Sequence, residues 1–138
     1  MVVEVRYFSR GGNTMRLAEA VAGALNVKPL GVDQPMTGRA DVVFLCASVY
    51  GGLPDKSVMT FVKQNARDIG RLVVLSTSAT GRSTFGRIKA AAEDMGVKVS
   101  ENFYHCPGAW TLFHRGRPNR DDCERAAAFA RAILEREA

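Results

Sequence analysis

Apolar positions along the chain keep two different rhythms, and their alternation predicts the architecture. Val2, Val3, Val5, Tyr7 and Phe8 form a short β-branched and aromatic run, a strand pattern, and Met15, Leu17, Ala18, Val21, Ala22 and Leu25 follow at helical spacing. Val27 to Val32 is a weaker strand whose Pro29 and Gly31 suit a sheet edge. Asp33 to Arg39, broken by Pro35 and Gly38, is too short for a full helix and predicts a turn or a single helical turn. After Asp41, Val42-Val43-Phe44-Leu45-Cys46 is continuously apolar, as expected of a central strand buried on both faces. Pro54-Asp55 opens a helix that carries Val58, Met59, Phe61 and Val62 to about Ala66. Leu72-Val73-Val74-Leu75, inside Arg71 to Thr77, is a second buried strand. A helix with Phe85, Ile88, Ala91, Ala92 and Met95 on one side then stops at Gly96, and Val97 to Cys106 is the last strand. Pro107 to Asn119 reads as a long irregular loop, a length more often functional than idle. Asn119 or Asp121 caps a closing helix with Cys123, Ala126, Ala127, Phe129, Ala130, Ile133 and Leu134 on its inner face.

Strands alternating with helices indicate an α/β protein with a parallel sheet. Five strands and four good helices predict a three-layer doubly wound, five-stranded parallel sheet, most economically in the order 2-1-3-4-5. Ligands of such sheets lie outside the carboxyl ends of the strands, at the switch point beside the first strand. Three loops should meet there: Ser9 to Thr14, Ala47 to Leu53, and the polar stretch from Ser76 past Gly81 to Thr84. All three are polar, bear glycine and follow apolar strands. In the first, Ser9-Arg10-Gly11-Gly12-Asn13-Thr14 joins a strand directly to a helix. Gly11 and Gly12 allow turn conformations and close approach, and Asn13 or Thr14 can serve as N-cap. The N–H groups of the first helical turn then point at an anion. Ser9, Asn13 and Thr14 add donors that do not depend on pH. The hexapeptide has neither the Gly-Lys-Ser/Thr of a Walker loop nor Gly-x-Gly-x-x-Gly, so those two nucleotide-binding classes are excluded.

Composition narrows the class. At 138 residues, 46% apolar and 24% charged, the chain supports one core, and residues 1–138 are read as a single domain. No window approaches a membrane span and no export signal is evident, so a cytoplasmic protein without membrane insertion is expected. Cys46, Cys106 and Cys123 lack a Cys-x-x-Cys spacing, which argues against a disulfide framework, a zinc site and a thioredoxin-type dithiol; buried, reduced thiols are expected and no metal site. Net charge is +5, with Arg115, Arg117 and Arg120 and the scattered Arg16, Arg39, Arg71, Arg82 and Arg87 contributing. Such a surface favours acidic partners. No basic helix or aromatic-interleaved basic stripe accompanies it, so nucleic acid is not expected. Glu4 and Arg6 are unusual inside a central strand. Either that strand is exposed near its start, or Arg6 pairs with a carboxylate, in Glu4's neighbourhood on the adjoining strand. His105 and His114 are expected to be structural or surface residues, and no spacing suggests a Ser/His/Asp or Cys/His catalytic set.

The order Tyr-Phe-Ser-Arg-Gly-Gly-Asn-Thr, Leu-Ala-Glu-Ala-Val-Ala, Ser-Val-Tyr-Gly-Gly and Ser-Thr-Ser-Ala-Thr-Gly resembles a short-chain flavodoxin over essentially the whole chain. The resemblance implies flavodoxin-like order 2-1-3-4-5 and FMN as cofactor. Ser9, Gly12 and Thr14 fall on the family's phosphate loop, written roughly Ser/Thr-x-Thr-Gly-x-Thr; Gly11 replaces its middle hydroxyl and Arg10 adds a cation. Ser48, Val49, Tyr50, Gly51 and Gly52 match the loop that lays an aromatic ring on the flavin and carries a glycine peptide that reorients on reduction. Ser78, Ala79, Thr80 and Gly81 match the loop at the pyrimidine end, with Phe85, Trp110 or Phe113 as candidates for the second flavin face. The implied activity is electron transfer to a redox partner protein or to a small acidic or quinone-type acceptor, by a monomer or weak dimer. Two alternatives share the fold: an NAD(P)H-dependent FMN or quinone reductase, and a cofactor-free interaction domain. Cys46 stands where a response regulator needs aspartate, and neither Cys46 nor Cys106 has the Cys-x5-Arg of a low-molecular-weight tyrosine phosphatase.

Overall fold

The computed structural model describes residues 1–8, 12–50, 53–78, 85–108 and 116–137, with the side chains of Tyr50 and Leu53 excepted. Its strands are β1 (Val3–Phe8), β2 (Pro29–Gly31), β3 (Val42–Tyr50), β4 (Leu53–Pro54), β5 (Leu72–Ser78) and β6 (Tyr104–Pro107). Helices α1 (Asn13–Leu25), α2 (Lys56–Gln64), α3 (Phe85–Asp94) and α4 (Arg120–Glu137) alternate with them. Five strands run parallel in the order β2-β1-β3-β5-β6, and β4 folds back antiparallel on β3. Leaving aside β4, this is the expected order 2-1-3-4-5.

Both faces of the sheet are covered, which is why β3 and β5 are apolar without alternation. Val42, Phe44 and Cys46 of β3 and Val73 and Leu75 of β5 pack with α1 and α4 on one side. Val43, Leu45, Ala47, Leu72 and Val74 pack with α2 and α3 on the other. Met15, expected on the inner face of α1, is 37% exposed, and Cys123 of α4 is only half-buried. The last strand is shorter than its sequence pattern: only Tyr104–Pro107 is a strand, with Val99 forming a single bridge to Leu72. The chain between Val99 and Tyr104 does not continue the ladder because Ser100 and Asn102 turn to Glu137, whose carboxylate accepts from Ser100 Oγ at 2.7 Å and Asn102 Nδ2 at 3.1 Å.

Between β2 and β3 the chain makes turns and no helix, as its Pro and Gly predict. A side chain compensates for the missing helix. Arg6, 2% exposed, lies on the α2 face of β1, its guanidinium carbon 5.1 Å from the centroid of the Phe61 ring. Its Nη1 donates to Gly31 O at 2.9 Å and Gln34 O at 2.5 Å, so a buried cation satisfies the carbonyls of the crossover. Its carboxylate partner is Glu4, Nε to Oε1 2.8 Å, on the same strand and not on the adjoining one. Residues i and i+2 of a strand share a face, which makes this the shorter reach. Asn65 fixes the crossover from the other side, accepting from Met36 N at 3.1 Å and donating to Phe61 O at 2.8 Å.

Candidate functional site

The carboxyl ends of β1, β3 and β5 lie side by side, with the start of α1 above them. Gly12 is the N-cap of α1, at φ 84°, a left-handed backbone that favours glycine. The cap therefore comes earlier than the expected Asn13 or Thr14: both are inside the helix, and the glycine cap offers no side-chain hydrogen bond. The helical ladder begins with Arg16 N donating to Gly12 O at 3.2 Å, so the amides of Thr14 and Met15 precede it. Asn13 Oδ1 accepts from Arg16 Nη2 at 3.0 Å.

The loops expected from Ala47 to Leu53 and from Ser76 onward begin later than the sequence suggests, because β3 runs to Tyr50 and β5 to Ser78. The hydroxyls of these strand ends explain why polar residues can continue a buried parallel ladder: they find partners on neighbouring elements. Ser48 pairs in register with Thr77, and both continue the sheet face that carries α1. Thr14, fully buried, brings its Oγ1 into hydrogen-bond contact with Ser48 Oγ and to 3.4 Å from Thr77 Oγ1. On the opposite face, His105 sits in register with Ser76, and its ring bonds Ser76 Oγ at 2.7 Å through Nδ1 and Ser78 Oγ at 3.3 Å through Nε2. His105 is thus hydrogen-bonded in the structure, as the sequence reading expects. The cluster of hydroxyls has no single sequence motif. Its only signal is that the polar residues follow the apolar runs without a glycine or proline between them.

Gly108 closes the site from β6. Its N–H donates to Ser78 O at 3.0 Å, and a Cβ there would stand 3.1 Å from Thr77 Cβ and 3.7 Å from Asn13 Nδ2. A side chain at 108 would crowd the space between α1 and β5. Further along, Asn119 and Asp122 cap α4 reciprocally: Asp122 N donates to Asn119 Oδ1 at 2.9 Å and Asn119 N to Asp122 Oδ2 at 2.8 Å. Arg117 reaches the same carboxylate through Nε at 2.5 Å and Nη2 at 2.7 Å. These bonds from Arg117 hold the Asp122 carboxyl below its ordinary range, against the opposing effect of burial.

Burial raises the pKa of Cys46 and pushes Cys106 up to about 12, so both thiols stay protonated at neutral pH. No group of three His, Cys, Asp or Glu is arranged to hold a metal among the described residues, and none of the described helices is long and apolar enough to cross a membrane. Ser9, Arg10, Gly11, Gly51, Gly52, Ala79, Thr80 and Gly81 lie outside the described residues, as do Trp110, Phe113 and His114; Tyr50 is described by its backbone, at the end of β3. Phe85 stacks on Phe103, ring centroids 4.2 Å apart.

The start of α1 suits a phosphate: Gly12 opens the helix with a left-handed backbone, and the amides of its first turn lie ahead of the helical ladder.

No protein-family profile matches the sequence. An uncharacterized protein of Methanocaldococcus jannaschii is 24% identical over 136 residues, covering 89% of this chain and 91% of that one. Among solved structures, oxidised flavodoxin 1 from Bacillus cereus superposes with a TM-score of 0.74 at 14% identity, over 99% of both chains. A Fusobacterium nucleatum flavodoxin variant bound to flavin mononucleotide superposes with a TM-score of 0.67 at 15% identity, over 96% of this chain and 95% of that one. With its five parallel strands in the order β2-β1-β3-β5-β6 and a helix start set over the switch point between β1 and β3, this chain has the flavodoxin-like fold.

Proposed function

We propose that this protein binds FMN at the carboxyl ends of β1, β3 and β5 and serves as a one- or two-electron carrier. The observation that carries the reading is the convergence of the glycine-capped start of α1 with the ends of β3 and β5 at the switch point, where doubly wound sheets bind their ligands. Ser9, Asn13 and the amides at the start of α1 would hold the phosphate, a helix N-terminus favouring an anion there. Tyr50 at the end of β3, with Gly51 and Gly52 after it, would line one face of the ring system. Ser78 to Gly81 would meet its pyrimidine end. When bound, the isoalloxazine supplies the redox chemistry, and the protein supplies orientation and electrostatic setting.

Identification of the flavin released by heat from the purified protein, followed by an anaerobic reductive titration of the holoprotein, tests this reading. The expected result is FMN, bound in equal amount to protein and reversibly reducible. Purified protein that carries no flavin and does not take up added FMN overturns it and leaves the fold serving as an interaction domain. Oxidation of NAD(P)H on addition of a quinone would assign the reductase activity instead of simple carriage.

A further inference from the structure

At the amino ends of the strands, away from the proposed flavin site, the protein carries a cavity of about 460 Å³. Arg39, Asp41, Gly70, Arg71, Lys98 and Glu137 are among the residues that line it. Arg39 and Asp41 stand just before β3, Gly70 and Arg71 just before β5, and Lys98 just before the bridge of Val99 to Leu72. Neighbouring segments of the sheet thus each bring a cation to the cavity, their backbones one strand spacing apart, roughly 5 Å. The walls are held by backbone. Gly70 N donates to Ala40 O at 2.8 Å, Val43 N to Arg71 O at 2.9 Å and Leu72 N to Lys98 O at 2.8 Å. A Cβ at Gly70 would stand 2.6 Å from Asp41 O, so the first two segments approach this closely only with glycine there.

Charge balance distinguishes this cavity from an ordinary surface hollow. Both of its carboxylates are engaged within the protein. Asp41 Oδ2 accepts from Val2 N at 2.7 Å, and Glu137 accepts from Arg71 Nη1 at 2.9 Å, Ser100 Oγ at 2.7 Å and Asn102 Nδ2 at 3.1 Å. Although burial works to raise its pKa, the bonds from Ser100, Asn102 and Arg71 hold the Glu137 carboxyl below its ordinary range. Arg71 and Glu137 therefore neutralise each other. Arg39 and Lys98 are exposed and have no carboxylate partner among the described residues. They are the cations left over, and they line the same cavity.

We propose that this cavity binds a small anion of the polyphosphate class, with Arg39 and Lys98 as its principal contacts. A guanidinium fork and an ammonium both suit phosphate oxygens, and two cations on separate segments suit an anion with more than one phosphate group. None of these residues belongs to the proposed flavin site, so the cavity stands whether or not the protein binds FMN.

The test titrates pyrophosphate calorimetrically into the full-length protein and into Arg39→Gln, Lys98→Gln and the double variant Arg39→Gln/Lys98→Gln. Arg131→Gln, which removes an exposed cation of α4, is the control. Each single substitution at the cavity is expected to lower pyrophosphate affinity about tenfold, as for one lost hydrogen bond to a charged group, and the control should leave it unchanged. Without pyrophosphate the urea midpoints of all variants should match the parent; with it, the stabilisation seen in the parent should shrink in the cavity variants. An equal loss in Arg131→Gln overturns the proposal and reduces the effect to diffuse attraction by a basic surface. Citrate binding as tightly as pyrophosphate overturns the assignment to phosphates. Pyrophosphate binding that is undiminished in the double variant and displaced by FMN belongs to the start of α1, and it overturns the cavity as a site.

Discussion

Arg6 is an expensive residue to place in an interior strand, and its cost is met by the three groups that surround it. The guanidinium takes a carboxylate from Glu4 and two carbonyls from the crossover, and it stands over the Phe61 ring. Arg6→Ala would leave Glu4 and two crossover carbonyls without their donor, and a loss of about 3 to 5 kcal/mol is expected, read as a lower urea midpoint with the slope unchanged. Arg6→Lys should recover little of this, since one ammonium cannot reproduce the fork. The need for a partner is legible in the sequence, because a charge in an apolar strand must be paired. The partner's place is not, because the carbonyls of Gly31 and Gln34 are brought close only by the fold. Ser9 presents the complementary case, a residue whose proposed role comes from the sequence pattern alone. Ser9→Ala should weaken FMN by about 1.5 to 3 kcal/mol, the range for a bond to a charged acceptor, and leave riboflavin binding nearly unchanged. Equal losses for both flavins, measured by fluorescence titration, would remove Ser9 from the phosphate site.

At the scale of elements, the sequence is most legible where burial and propensity agree. The apolar centres of β3 and β5 are evident from composition alone, and Asp55 is found as the N-cap of α2, accepting from Ser57 N at 3.0 Å. It is least legible at the strand ends. Ser48 and Ser76 to Ser78 have loop composition, and only contacts between residues far apart in sequence keep them in the ladder. The start of α4 combines a readable signal with an unreadable one: Asn119 is a good cap by type, but the pairing of Arg117 with Asp122 adds a titrating group to it. Because the Asp122 pKa is depressed on folding, chiefly by Arg117, its contribution is present above the ordinary carboxylate pKa of about 3.9 and is lost as pH falls through the folded value. Asp122→Ala should cost about 1 to 2 kcal/mol at neutral pH, as for loss of a helix cap. Asp122→Asn should flatten the fall of the urea midpoint below about pH 4. An acid limb of unchanged steepness in the Asn variant would show that other carboxylates control it.

For the whole molecule, charge determines how a flavin bound as proposed would behave. The chain carries a formal charge of +5. Around the proposed site the sequence places Arg10 in the first loop and Arg82 just after Gly81, and Gly52-Leu53 follow Gly51 where a carboxylate could have stood. A neighbouring cation favours the negative charge added when the cofactor is fully reduced. Each 1.36 kcal/mol of such preference corresponds to about 59 mV in a one-electron step. The second reduction of bound FMN is therefore expected to be less reducing than in an acidic site, and replacement of Arg10 and Arg82 by Gln should lower it again. The same charge should steer acidic partners toward the protein, so electron transfer with such a partner should slow as ionic strength rises, because screening shortens the reach of the attraction. Potentiometry at fixed pH and stopped-flow transfer to an acidic redox protein across a salt series measure the two effects separately. A very low second potential that the Gln substitutions do not move, together with rates indifferent to salt, would mean that the arginines are solvated away from both the flavin and the docking face.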